Sequence, residues 1–439
     1  MKRIRVALIC HFSNPEVRKE LPISKLIFRN WIRRYLEKQP INVKQDFAPW
    51  VTNLIKEFEK MKDVEVHVIA PHTGLTCLTC EFSNNGVNYH FFKSDLFYLY
   101  DIARSRLPLL GHPKYRMNRF FVKRFFKRIK PDIVDLIGSE NPYYSITAMD
   151  IKDVPIYVSV QTVYTNPARQ THSGECDPFR WDTELEIHKK VSYYGSAGRM
   201  HRDLIIKNNP DAVVFKANFC KQQPVIGCNV PEIKYDFVFF AANITVGKGI
   251  EDAIQALAIV KKLKNGVCLN VVGNCTPKYK AELEKLIDEL NLIENVIFND
   301  YFPLQSDMFK QIKHSSFAIL PIKLDVIPGT IIESMFLEIP LVTYKTSGTP
   351  YLNKDEPCVL LAEMGDINEL ANQMIKLLES PMLAETLKSN AKAFAVNEYD
   401  SMECALRIVR NYRAVIEHYH HQTPIPRELL FDINEFPLY

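Results

Sequence analysis

The sequence predicts an α/β fold of two doubly wound, Rossmann-like domains that face each other across a cleft. Short runs of β-branched and aromatic residues alternate with longer segments of helical period, as in parallel sheets covered by helices on both faces. Two such series are separated by a proline-containing stretch near 225–235. We therefore expect domains at 1–225 and 235–415, followed by a tail at 416–439 that packs back on the first domain.

Twelve segments are predicted to be strands, six in each domain. In the first domain they are 5–10, 64–70, 87–92, 133–138, 156–162 and 212–215. In the second domain they are 237–241, 267–273, 296–299, 317–322, 341–344 and 359–361. Parallel strands bring their carboxyl ends to one edge of the sheet, where doubly wound domains bind their ligands.

Composition and charge narrow the class of protein. The chain is 47% hydrophobic and 24% charged, which is ordinary for a globular protein. No apolar run reaches the ~18 residues of a membrane span, and no signal-peptide core follows the start, so we expect a cytoplasmic protein. Residues 1–220 carry 34 Lys+Arg against 23 Asp+Glu, a net +11, whereas residues 221–439 carry 21 against 28, a net −7. The first domain is therefore the candidate for an anionic partner or membrane.

The most informative stretch runs over 317–336. A predicted strand is followed by a loop that carries Asp325, a Pro-Gly turn, and a helix expected to begin near Thr330 with Glu333 in its first turn. The free amides and the dipole of such a helix make an anion site at the carboxyl ends of parallel strands. A pyrophosphate fits there, with a carboxylate on either side to hold sugar hydroxyls.

A simpler interpretation of this stretch stays open. Thr330 and Glu333 also have the spacing of a capping box, in which the Glu333 side chain accepts from the Thr330 amide. Asp325 is then a solvated loop residue, and neither carboxylate has a ligand.

In this stretch the chain resembles glycosyltransferase family 4. The donor site of that family is marked by an acidic residue and a Glu that are separated by seven residues. Asp325 and Glu333 match that spacing, with Asp where the family usually has Glu, and 339–350 matches the strand and glycine turn that follow. Upstream, 237–251 resembles the first strand and phosphate loop of the family's C-terminal domain, with Lys248 before a helix. Asn243 stands where the family has an Arg that shares the diphosphate.

The resemblance implies a GT-B fold and a retaining, metal-independent transferase without a cofactor. The enzyme would move a hexose-type sugar from a nucleotide diphosphosugar to a hydroxyl of a cell-surface polysaccharide or lipid-linked glycan precursor. Three residues carry catalysis in this interpretation: Asp325 orients the sugar, Glu333 holds the ribose hydroxyls, and Lys248 stabilises the leaving diphosphate. The residues implied to bind the donor are Asn243, Lys248, Gly273, Tyr301, Pro328, Gly329, Thr330, Ile331 and Glu333. Gly273 and Tyr301 could equally be strand ends without a ligand.

The first domain resembles the family less closely, because the family's glycine-rich loop after the first strand is replaced and its customary histidines are missing. The candidates to bind the acceptor are His11, Glu140, Asn141, Gln161, Arg169 and His201. Segment 114–130 holds eight cations and no acid beside an apolar stripe, and is predicted to be a helix. This helix either contacts anionic lipid or packs its stripe on the sheet as an ordinary Rossmann helix.

Nucleic-acid binding is not expected, because no recognised motif accompanies the basic segment. A non-catalytic GT-B scaffold or binding protein, or a GT-B nucleotide-sugar epimerase, are the alternatives to a transferase. Donor consumption that requires an acceptor separates transfer from both.

Overall fold

In a computed structural model, the described residues are 3–23, 46, 48–94, 115–167, 177–224, 232–299, 302, 304–323 and 327–433. They form two compact units. The first takes its described residues from 1–197, 201–220 and 404–431, and the second takes its own from 198–200, 221–403 and 432–439. The segment 404–431 thus belongs to the first unit, whereas the second domain was predicted to extend to 415.

The first unit is an α/β domain built on one sheet. Its strands within the described residues are β1 Ile4–Ile9, β2 Val64–Pro71, β3 Thr79–Asn84, β4 Val87–Phe92, β5 Ile133–Ile137, β6 Ile156–Ser159, β7 Tyr193–Ser196 and β8 Val213–Lys216. Their order is β3-β4-β2-β1-β5-β6-β7-β8, and every pair is parallel except β3 with β4. The central strands β1 and β5 are buried almost throughout, as a sheet covered on both faces requires.

The helices of this unit begin with clear sequence signals. They are α1 Pro15–Glu20, α2 Pro49–Phe58, α3 Arg116–Ile129, α4 Pro142–Ser145, α5 Pro178–Lys190 and α6 Arg199–Asn208. Four of these six start with proline, which has no amide hydrogen to leave unpaired in the first turn. The side chains of Asn14 and Asp177 cap α1 and α5.

The basic helix α3 packs its apolar stripe on the sheet. Phe121 and Phe125 are buried, and their rings lie 5.8 Å and 6.5 Å from the ring of Phe92. Arg119 and Lys123 both form ion pairs with Asp150. The predicted helix is therefore confirmed, with its stripe used for packing inside the unit, as in the Rossmann alternative.

The second unit is a parallel α/β domain. Its strands are β9 Tyr235–Asn243, β10 Leu269–Asn274, β11 Val296–Asn299, β12 Ser315–Leu320, β13 Leu341–Tyr344 and β14 Leu360–Ala362. Their order is β11-β10-β9-β12-β13-β14, with every pair parallel. The helices are α7 Ile250–Lys261, α8 Pro277–Glu289, α9 Gln305–Ile312, α10 Gly329–Phe336, α11 Ile367–Glu379 and α12 Pro381–Tyr399. This is the doubly wound 3-2-1-4-5-6 order, which reverses direction between β9 and β12.

The predicted fold class is confirmed, and all twelve predicted strands are present. Two further strands, β3 and β7, were missed. Strand β3 is an antiparallel edge strand of mostly polar residues, and β7 has four residues with a glycine among them. Neither has the apolar run by which buried strands are recognised. None of the described helices is long and apolar enough to span a bilayer.

Helix α13, Ser401–His421, is fastened to the first unit's sheet by buried polar groups. The Tyr412 hydroxyl donates to Asp135 Oδ2 at 2.5 Å, and the Ser159 hydroxyl donates to the same oxygen at 3.0 Å. Asn411 Nδ2 donates to the Tyr157 hydroxyl at 3.2 Å. Asp135 is 0% exposed, and this burial raises its pKa from 3.8 to about 6, although the hydrogen bonds from Tyr412 and Ser159 act to lower it.

The buried carboxyl group of Asp135 predicts a pH dependence of stability. Because its folded-state pKa lies above its unfolded value, its contribution to stability is present below pH about 4 and is lost as pH rises through about 6. Asp135→Asn is always neutral, so its free energy of unfolding relative to wild type should rise by roughly 3 kcal/mol over this range. Tryptophan fluorescence during urea unfolding measures it, since Trp31, Trp50 and Trp181 all lie in the first half of the sequence.

Asp203→Asn, at a half-exposed carboxylate on α6, is the matched control and should keep the wild-type pH dependence. A stability difference between wild type and Asp135→Asn that is constant from pH 4 to pH 7 would show that Asp135 stays ionised when buried.

Candidate functional site

Two loops meet at the carboxyl edge of the second unit's sheet, where the strand order reverses. Gly249 follows β9 with φ +77°, and a Cβ on it would lie 2.0 Å from the carbonyl oxygen of Pro321, just after β12. The amide of Lys323 donates to the carbonyl of Gly247 at 3.1 Å. Only glycine permits this approach, because any side chain would meet the Pro321 backbone. The sequence therefore places both loops against each other at the position where doubly wound domains bind ligands.

Lys248 lies in the loop after β9, at this edge of the sheet. Val246–Lys248 forms one 3₁₀ turn, and α7 then begins at Ile250 on a stripe of buried apolar residues, as its helical period predicts. Lys248 is half-buried, whereas Asn243 is exposed at the end of β9. The Asn243 Oδ1 accepts a hydrogen bond from Asn274 Nδ2 at 3.2 Å. The neutral amide of Asn243 thus joins the ends of two strands.

An ion pair fixes the loop after β12. Lys323 Nζ lies 2.9 Å from each carboxylate oxygen of Asp252, which is 6% exposed in the first turn of α7. The hydroxyl of Tyr344 donates to Asp252 Oδ2 at 2.7 Å. Burial, and then the neighbouring Asp252 carboxylate, raise the pKa of this hydroxyl, so it remains a donor. Asp325 itself lies outside the described residues, as do Tyr301 and Arg169.

Helix α10 presents its N-terminus to the same edge. It begins at Gly329 after Pro328, and Ile331 is completely buried and anchors the first turn. The amides at the first helical positions have no acceptor within the helix, which makes this end a site for anions. Thr330 Oγ1 is also buried, and among the described residues it has no hydrogen-bond partner.

Glu333 lies one turn inside α10, so the capping box with Thr330 is not formed. The Glu333 side chain is 7% exposed and accepts two hydrogen bonds on Oε1, from Lys221 Nζ at 2.5 Å and from Gln305 Nε2 at 2.8 Å. The helix begins near Thr330 as predicted, but Glu333 lies just beyond its first turn rather than in it. Lys221 and Gln305 were missed, because Lys221 is 112 positions away and belongs to no motif.

Close packing between strands β9 and β10 explains why residue 273 is a glycine. Its φ is +143°, and a Cβ on it would lie 1.9 Å from the carbonyl oxygen of Ala241. The amide of Ile244 donates to the carbonyl of Asn274 at 2.8 Å directly beside it. Gly273 thus allows the ends of β9 and β10 to approach each other closely. Its role beside the nucleotide base remains a prediction.

The acceptor candidates of the first unit follow neighbouring strands. His11 comes after β1, Glu140 and Asn141 after β5, and Gln161 after β6, while His201 lies in α6 after β7. These strands are adjacent and parallel, so their carboxyl ends share one edge of the sheet. The structure thus places the described candidates along a single edge.

A further residue, Glu184, supports this edge and was missed by the sequence analysis. Its carboxylate is 0% exposed and accepts from the Ser139 hydroxyl at 3.1 Å and from the Thr165 amide at 2.6 Å. It therefore ties the loop after β5 to the loop after β6. Its position in the helix α5, surrounded in sequence by other charged residues, gave no signal of burial.

Comparison with known proteins identifies the second unit. Residues 229–394 match the model of the family described as glycosyl transferases group 1. The range includes the loops after β9 and β12 and all of α10. The family resemblance predicted from the sequence is thereby confirmed.

Two curated relatives match over part of their length. The alpha-D-kanosaminyltransferase of Streptomyces kanamyceticus is 24% identical over 178 residues, 40% of this chain and 45% of the relative. The capsular polysaccharide biosynthesis glycosyltransferase CapM of Staphylococcus aureus is 24% identical over 167 residues, 37% of this chain and 42% of the relative. The chain thus matches less than half the length of either relative.

A solved structure matches nearly the whole chain. Anabaena Alr3699/HepE in complex with UDP and glucose superposes with a TM-score of 0.62 at 13% identity, covering 94% of this chain and 100% of that one. At this identity the likeness concerns the fold, which is the GT-B fold of two Rossmann-like domains.

The close contact at Gly249 predicts a large effect of one methyl group. Gly249→Ala should lower the free energy of unfolding by roughly 2 kcal/mol or more, because alanine is strained at φ +77° and its Cβ overlaps the Pro321 carbonyl. Thermal unfolding of the full chain measures the loss.

Gly266→Ala is the matched control, since a Cβ there has no atom within 4 Å. It should change the free energy of unfolding by less than about 1 kcal/mol. Equal stability of the two alanine variants would contradict the proposed contact of the two loops.

Proposed function

We propose that the second unit binds a nucleotide diphosphosugar and that the protein transfers its sugar to an acceptor hydroxyl, because residues 229–394 match the model of the glycosyl transferases group 1 family. The observation that supports this most strongly is the meeting of the loops after β9 and β12 beside the N-terminus of α10. A cation, a set of free amides and a buried carboxylate are thereby brought to one edge of one sheet.

The donor diphosphate is proposed to lie at the first turn of α10, against the amides of Gly329 and Thr330. Lys248 approaches from the loop after β9 and stabilises the charge that develops on the leaving diphosphate. Glu333 accepts hydrogen bonds from the ribose hydroxyls. UDP is the first nucleotide to test, because it is bound in the structure of Anabaena HepE.

Asp325 is proposed to orient the donor sugar and to stabilise positive charge at its anomeric carbon. Transfer retains the configuration there: the acceptor oxygen forms the new bond on the face that the diphosphate leaves, and the leaving phosphate oxygen takes the acceptor proton. This route requires neither a separate base nor a metal. The ion pair of Lys323 with Asp252, which also accepts from the Tyr344 hydroxyl, supports a built site in this part of the chain, because it holds residue 323, two positions before Asp325 in the sequence.

The acceptor is proposed to be a cell-surface polysaccharide or a lipid-linked glycan precursor, bound at the carboxyl edge of the first unit's sheet. The CapM relative, which is named as a capsular polysaccharide biosynthesis glycosyltransferase, supports this class. The net +11 of residues 1–220 suits an acceptor with phosphate groups or an anionic membrane surface.

Peripheral contact with a cytoplasmic membrane is proposed to use the outward side of α3. Phe120 is 54% exposed there, beside the exposed cations Arg124 and Lys127. An apolar side chain among cations is the composition that binds anionic lipid surfaces. Flotation with vesicles of anionic lipid tests this contact, and protein that stays entirely in the unbound fraction at low salt would exclude it.

The proposed roles predict a separation of binding from transfer. Asp325→Ala should reduce transfer by at least about 10³-fold because it removes charge stabilisation at the reacting carbon, yet it should leave UDP binding within a few-fold of wild type. Lys248→Ala and Glu333→Gln should each weaken UDP binding. Donor turnover with and without acceptor, and metal-free thermal shift with UDP, GDP and ADP, measure the two properties.

Retained turnover in Asp325→Ala would refute the role of Asp325. Donor consumption without any acceptor would favour an epimerase, and nucleotide binding without turnover would favour a non-catalytic binding protein.

A further inference from the structure

Lys221 brings a second cation to the N-terminus of α10. Its Nζ donates to Glu333 Oε1 at 2.5 Å and lies 3.5 Å from the position that a Cβ on Gly329 would take. With a Cα–Cβ bond of about 1.5 Å, the ammonium is at most about 5 Å from the Gly329 Cα. It therefore stands beside the first amides of the helix. The residue lies outside the segment 229–394 that matches the family model.

The position of Lys221 is built by backbone contacts that are independent of α10. Its amide donates to the carbonyl of Tyr399 at 3.0 Å, and the residue pairs with Asp400 in an isolated parallel bridge. Gln223 Nε2 donates to Asp400 Oδ2 at 3.1 Å. The side chain of Lys221 is only 15% exposed, so its ammonium is held in one direction rather than moving in solvent.

A second cation such as Lys221 would complement the charges around the predicted diphosphate site. Lys323 is held by Asp252, and Asn243 is neutral and bonded to Asn274. Lys248 belongs to the loop after β9. A diphosphate has two phosphoryl groups with separated charges, and a second cation on the α10 side stabilises them better than one cation alone.

We propose that Lys221 binds the diphosphate of the donor. Its ammonium bridges a phosphate oxygen at the α10 amides and the Glu333 carboxylate, which orients it. This assignment rests on the proposed function, because it assumes that the diphosphate lies at α10. It supplies in a different place the cation that is missing at Asn243.

A comparison of nucleoside affinity with nucleoside diphosphate affinity distinguishes binding of the diphosphate by Lys221 from a role limited to neutralising Glu333. Lys221→Met should weaken UDP binding by about tenfold or more while changing uridine binding less than about twofold, since only UDP carries the diphosphate. Inorganic pyrophosphate should compete with UDP on wild type and much less on Lys221→Met. Metal-free calorimetric titrations of the full chain measure these affinities.

Two further variants complete the experiment. Lys221→Arg keeps a cation and should retain most of the UDP affinity, which excludes misfolding as the cause of a loss. Lys310→Met removes an exposed lysine paired with Asp307 in the same unit and should bind UDP like wild type. GDP with guanosine and ADP with adenosine replace the uridine pair if wild type prefers another base.

The outcomes are distinguishable. Equal losses of uridine and UDP affinity in Lys221→Met, or no loss of either, overturn the assignment of Lys221 and leave the proposed function intact. If wild type binds none of the three nucleotides and no pyrophosphate, the proposed function fails and the role of Lys221 fails with it.

Discussion

The candidate site depends on one close contact, in which the backbone of Gly249 packs against the carbonyl of Pro321. The 3-2-1-4-5-6 strand order makes β9 and β12 neighbours whose connections leave in opposite directions, so their loops lie side by side. A side chain at Gly249 would force the loops apart. These two loops contain Lys248 and the ion-paired Lys323, and α10 begins directly after the second loop. The contact at Gly249 therefore sets the distances among these three parts of the site.

Buried carboxylates position cations or loops throughout the molecule. In the second unit, Asp252 holds Lys323 and Glu333 holds Lys221. In the first unit, Glu184 joins the two loops that carry the acceptor candidates Glu140, Asn141 and Gln161. Asp135 connects α13 to the sheet through Tyr412. Each of these carboxylates is nearly inaccessible to solvent and is held by hydrogen bonds, which is the condition under which a buried polar group is tolerated.

The sequence could predict the fold and part of the site because both are local in the chain. Buried parallel strands are continuous apolar runs, and Lys248 and Glu333 belong to motifs of fixed spacing. Helix α10 begins near Thr330 as predicted, but Glu333 does not lie in its first turn, since Gly329 belongs to the helix although glycine usually marks a turn. Lys221 and Glu184 were out of reach, because their partners lie 112 and 19 to 45 positions away and only the folded chain brings them together.

A crystal structure of the full chain with UDP and no added metal is the decisive test of the proposed donor site. We expect the diphosphate to contact the amides of Gly329 and Thr330, with Lys248 and Lys221 within hydrogen-bonding distance of its oxygens and Glu333 at the ribose. A diphosphate bound at another edge of the second unit, or at the first unit, would contradict it.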